Sequence, residues 1–151
     1  MNAISPTLYF PQSNTVFANS SPVVSTEASQ ARPVHPFSRI DLDQCMNKMA
    51  NLTQGNARRP TQRALELASE WLYLIFDRAN KLGGWSRPHI SSTEDGEIVF
   101  EWWRQRRNLT LYFGDDGPEY IEVWGPNIDD DMRSGELTNW SFSTAWLRLQ
   151  S

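Results

Sequence analysis

The chain has 151 residues, 39% of them hydrophobic and 21% charged, with a formal net charge of -4. That length suits one ordinary domain plus an extra segment, and the acidic balance gives no general attraction to nucleic acid, which usually requires a basic domain or stripe. One cysteine, Cys45, leaves no intrachain disulfide or cysteine-rich zinc site and fits a reducing compartment.

No apolar run approaches the roughly 20 residues that a membrane-spanning helix needs. The N-terminus also lacks the basic-then-apolar order of a secretory signal. The expectation is a cytoplasmic protein with no membrane partner.

Residues 1–36 contain one acid, Glu27, one base, Arg32, and prolines at 6, 11, 22, 33 and 36. Such a segment buries too little to offset its ordering entropy. It reads as a flexible N-terminal arm whose apolar islands, LYF at 8–10 and VF at 16–17, could order on a partner. Residues 37–151 read as a single domain.

A first helix is predicted over residues 38–54, with Ser38 and Asp41 as a capping pair. Leu42, Cys45, Met46, Met49 and Leu52 recur at helical spacing, which makes Cys45 a small core residue rather than a nucleophile. After the breaker GNARRP at 55–60, Thr61 is a candidate N-cap. Ala64, Leu65, Ala68, Trp71, Leu72, Ile75, Phe76, Ala79 and Leu82 then give a long helix a wide apolar face, extended by Leu67 and Leu74. Gly83 and Gly84 stop it. A face that broad should touch two layers.

From residue 85 the period changes to two. Ile98, Phe100 and Trp102 share one face of a strand, and Val99, Glu101 and Trp103 the other. RQRRN closes a hairpin onto LTLYF. GDDGP turns into EYIEVWG at 119–125. Three consecutive strands with short turns imply a meander. The predicted fold is therefore α+β: two helices packed on a three-stranded antiparallel β-meander, with a C-terminal helix or strand. In that last segment Phe142, Ala145, Trp146 and Leu149 favour the helix, with Thr138 or Asn139 as N-cap. Trp140, Phe142, Thr144 and Trp146 would favour the strand.

The candidate contact surface lies around Trp103. The apolar face of Ile98, Phe100, Trp102, Leu109, Leu111 and Phe113 should meet the long helix, leaving Trp103 and Tyr112 on the opposite side. The third strand adds either Tyr120 and Trp124 or Ile121 and Val123 to that side, according to register. Either the C-terminal segment covers it or it is a docking surface. Arg104, Arg106 and Arg107 lie at the same hairpin tip. Arginine and tryptophan dominate protein–protein hot spots, and arginine beside aromatics can also grip phosphates and stack bases. The protein-binding candidates are Trp103, Arg104, Arg106, Arg107 and Tyr112.

Catalytic signatures are missing from the sequence. Residues 129–131, with Asp115, Asp116, Glu119 and Glu122, lack the alternating ligands and glutamate of a calcium loop. His35 and His89 have no metal-ligand spacing, no GxSxG elbow occurs, and no cofactor fingerprint is present. A small hydrolase or nuclease built on the acidic loops is the least favoured class.

The long helix followed by RPHISSTEDGEIVFEWW, LTLYF and EYIEVWG resembles a group of small bacterial accessory proteins. In these a proline-led segment runs into G-x-I/V-x-x-E-W and a short meander. The resemblance covers residues 60–126 and is most specific in DGEIVFEW. It implies a bacterial, cytoplasmic accessory protein acting beside another protein, and it carries no active site. The arm and RQRRN fall outside it. The expected function is a non-enzymatic, accessory or antitoxin-like module that binds another protein. A nucleic-acid-contacting accessory protein using the arginine tip is the alternative.

Overall fold

A computed structural model describes residues 36–55 and 58–151; the expected N-terminal arm lies outside the described residues, apart from Pro36. The first helix, α1, runs Pro36–Leu52, so Ser38 sits inside it rather than ahead of it. Cys45 and Met49 are buried, and Leu42, Met46 and Leu52 pack beside them, so the helical stripe is the buried one.

The long helix α2 spans Gln62–Lys81 with Thr61 as its N-cap. The Thr61 hydroxyl accepts from the Ala64 amide at 3.0 Å and donates to Asp115 at 2.7 Å. One side chain thus satisfies an orphan helix donor and ties the helix start to a sheet turn. The Thr61 amide also donates to the Gly96 carbonyl at 2.8 Å. Gly96 has φ +83°, and a Cβ there would lie 3.0 Å from the Thr61 methyl, so this turn needs glycine both for its conformation and for the close approach. Ala64, Leu67, Ala68, Leu72, Ile75 and Ala79 are buried, whereas Leu74 is exposed.

Among the described residues, the sheet has five antiparallel strands in the order β1-β2-β3-β4-β5, two more than the three-stranded meander that the pattern predicts. They are β1 His89–Ser92, β2 Ile98–Arg104, β3 Arg107–Gly114, β4 Gly117–Val123 and β5 Met132–Glu136. The added strands are the two edges. β1 buries only Ile90, and β5 buries nothing, so neither carries an alternating apolar signal. Both form by backbone pairing with a neighbour that does.

The last segment is the helix of the two expected alternatives, α3, Asn139–Gln150, which makes three helices among the described residues. Its N-cap is Thr138, in a reciprocal capping box with Ser141. Phe142, Ala145, Trp146 and Leu149 are buried. Trp146 packs edge-on against Trp102 at 5.4 Å and stacks on Phe142 at 5.5 Å.

All three helices feed one core. Its sheet residues, Ile90, Ile98, Phe100, Trp102, Leu109, Leu111, Phe113 and Tyr120, come from a single face. Val99, on the other face, is buried but stands outside that cluster. α2 touches α1, α3, β2 and β3, which accounts for its wide apolar face. Among the described residues, no helix is long and apolar enough to cross a membrane.

The β2–β3 turn carries local strain. Gln105, the first of the two turn residues between β2 and β3, has φ +56°, a backbone conformation that favours glycine. A left-handed non-glycine residue costs about 1–2 kcal/mol, more than glycine's extra unfolded-state entropy. Gln105→Gly is therefore expected to raise stability by roughly 0.5–1 kcal/mol, read as a higher urea midpoint. A lower midpoint would mean that the glutamine side chain supports the turn.

Candidate functional site

The register fixes which side chains stand on the face away from the helices. Trp103 pairs with Asn108, Asn108 with Val123, and Val123 with Met132, forming one row across four strands. The next row runs His89, Glu101, Thr110, Ile121 and Ser134. The third runs Ser91, Val99, Tyr112, Glu119 and Glu136. The ambiguity over β4 is thus settled: Ile121 and Val123 join the Trp103 face, and Tyr120 belongs to the core. The C-terminal segment does not cover this face, because α3 packs beside α2 on the other side. Trp103 is 70% exposed.

The face grades from apolar to acidic. The first row is the most apolar, Trp103, Val123 and Met132 with the buried amide of Asn108 between the first two, and Trp103 and Met132 are both exposed. At the centre Thr110 donates to Asn108 at 2.8 Å, and Asn108 donates to the Trp102 carbonyl at 3.3 Å. Tyr112 stands among carboxylates. Burial pushes its phenol up, and Glu101 and Glu97 push it further, while Glu119 faces it directly across β3–β4. Glu119 in turn faces Glu136. The face's basic group is His89, 3.3 Å from Glu101, and none of the strand residues on this face is lysine or arginine.

The arginines separate. Arg104 and Arg107 pair with each other across the hairpin on the helix side, and both are held by the end of α3. Arg107 donates to the Arg148 carbonyl at 2.6 Å and to the Ser151 hydroxyl at 2.7 Å, where a cation satisfies a terminal carbonyl and complements the helix dipole. Arg104 hydrogen-bonds Gln150. Arg106 is exposed in the turn. Trp103 and Tyr112 share the open face but stand two rows apart. Glu119, Met132 and Glu136 are the face residues that sequence patterning misses, while Ile121 and Val123 are one of its two alternatives. The two-residue turn implied by GDDG, which sets Gly114 opposite Gly117, is the signal that could have placed β4.

Two clefts adjoin the edges of the sheet. One of about 270 Å³ lies beside the candidate residues Trp103 and Arg104, which line it with Gly83, Gly84, Trp85, Trp102 and the end of α3. The other, of about 250 Å³, brings Cys45 and His89 into one lining with Gln44, Lys48 and Arg87. A cysteine beside a histidine would suggest a nucleophile. Here burial pushes the Cys45 thiol up to about 11, with Arg87 opposing only in part, so it stays protonated and inert at neutral pH. The acidic loop before β5 is a hydrogen-bonded turn, in which Asp131 accepts from the Asn127 amide at 3.1 Å and Asp130 from the Asn127 side chain at 2.5 Å. Among the described residues, no three histidine, cysteine or carboxylate side chains come together to hold a metal.

Comparison with protein-family models, curated proteins and solved structures finds no match.

Proposed function

We infer that the protein is a non-enzymatic accessory module that binds another protein through the open face of its sheet. The carrying observation is Trp103, 70% exposed on a face that no described helix covers. A tryptophan left in water at one end of an apolar row is the residue type that anchors protein interfaces. The nucleic-acid alternative draws less support, because two of the three tip arginines are engaged with α3 and the adjoining face carries carboxylates that repel phosphate.

Trp103→Ala should leave the isolated protein within about 0.5 kcal/mol of wild type, as surface changes usually do. It should weaken partner binding by about 2 kcal/mol, the scale of an aromatic hot spot. Urea denaturation gives the first quantity. Tagged wild type and variant recovered from the source cells, followed by affinity measurement on what co-purifies, gives the second. The reading fails if both forms retain the same proteins equally, or if the isolated variant loses several kcal/mol.

A further inference from the structure

We propose that the open face docks a cationic protein segment, whose arginine or lysine side chains are received by Glu101, Glu119 and Glu136 around Tyr112 while its apolar side chains cover the Trp103 row. This rests on the interaction reading above and adds the chemistry of the partner.

One cross-strand pairing on this face is not favoured by folding alone. Glu119 and Glu136 stand directly opposite each other on adjacent strands, where like charges destabilise a sheet. Among the described residues, no lysine or arginine makes an ion pair with either. Among the described residues, the basic group that pairs with Glu101, one row away, is a histidine, His89. A bound cation turns this repulsion into attraction.

Tyr112 supplies the second half of the seat. Its partner across β3–β4 is Glu119, and Glu101 and Glu97 are the carboxylates that act on its phenol. A ring ringed by carboxylates offers a guanidinium or ammonium both a π-face and counter-charges.

The spacing defines the occupant further. Tyr112 is four residues along β3 from Asn108, which pairs with Trp103, so the acidic row lies about 13 Å from the apolar row. An extended partner strand carrying an apolar residue and, about four residues on, a basic one would match both. A second copy of the same face does not: isologous pairing would set carboxylates against carboxylates or against the apolar row. Nucleic acid and anionic lipid meet the same repulsion.

The test is selection of displayed random peptides of about twelve residues, long enough when extended to cross the face, on the immobilised full chain. Enriched peptides are then assayed against Trp103→Ala and against the triple variant Glu101→Gln/Glu119→Gln/Glu136→Gln. The expected result is enrichment of net-positive peptides whose affinity falls about tenfold or more on the triple variant, the sum of several exposed ion pairs. It should fall similarly in about 0.5 M salt, where exposed charges are screened. Thermal melting shows whether the triple variant folds, and Glu136→Gln alone serves if it does not. Peptides that need Trp103 but are neutral or acidic, or that bind the triple variant equally, overturn the cationic occupant and leave the interaction reading standing. Peptides that bind Trp103→Ala as well as wild type, or no enrichment at all, overturn both.

Discussion

Replacing Trp146 by alanine is expected to cost about 3–5 kcal/mol, the range for emptying a core aromatic site. The side chain is 0% exposed, wedged between Trp102 and Phe142, and it joins α3 to the sheet. With total stability of the order of 5–15 kcal/mol, the variant should show a large drop in urea midpoint. Trp146→Phe should cost markedly less, because the ring keeps most of the packing and removes an indole N–H that finds no partner among the described residues. Trp140→Ala is the internal control. It lies in the same helix but is 81% exposed, so its loss should stay within about 0.5 kcal/mol. A strand over this segment would have put both tryptophans on one face, and equal losses at the two positions would restore that alternative.

The elements legible in the sequence are those with their own apolar stripe. α2 buries Ala64 through Ala79 at helical spacing and β2 buries Ile98, Phe100 and Trp102 at alternate positions, so each announces itself locally. β1 and β5 have no such stripe and depend on hydrogen bonds to β2 and β4; nothing within HISS or MRSGE states where they pair. The placement of Trp103 and Tyr112 on one face of the sheet, with Trp102 turned to the core on the other, follows from alternation alone. The arginines illustrate the converse. Proximity in sequence groups Arg104, Arg106 and Arg107 with Trp103, yet the same alternation turns Arg104 and Arg107 to the helix side. Their partners come from α3, more than forty positions later by numbering. The acidic half of the open face needed the β4 register and the presence of β5, both set by tertiary pairing rather than composition.

Arg148→Met should destabilise the protein by about 3 kcal/mol at neutral pH, the lower end of the cost of stranding a buried charge, and the loss should shrink as the pH falls. Glu122 is buried on the helix side of β4, and Arg148 of α3 donates to one of its oxygens at 3.0 Å, while the other oxygen finds no partner among the described residues. Arg148 also lies 4.6 Å over the Trp124 ring, and methionine retains an unbranched apolar stem for that contact. Burial pushes the Glu122 carboxyl above its usual range, with Arg148 and Arg133 pulling it back in part. A carboxyl raised in the folded state contributes most below its unfolded pKa, and that contribution is lost as pH rises through the folded value. Arg148 limits the loss by stabilising the ionised form. Without it the folded pKa climbs further and the neutral-pH penalty deepens, whereas below the ordinary carboxylate range, about pH 4, Glu122 is neutral in either protein and the two stabilities converge. Adding Glu122→Gln to Arg148→Met should recover much of the loss at neutral pH, since the stranded charge is gone. Urea denaturation of wild type, single and double variants between about pH 3 and 7 measures all of this. A wild-type-to-variant difference that does not change with pH would mean that Arg148 acts through Trp124 and packing, with the Glu122 ion pair contributing nothing to the fold.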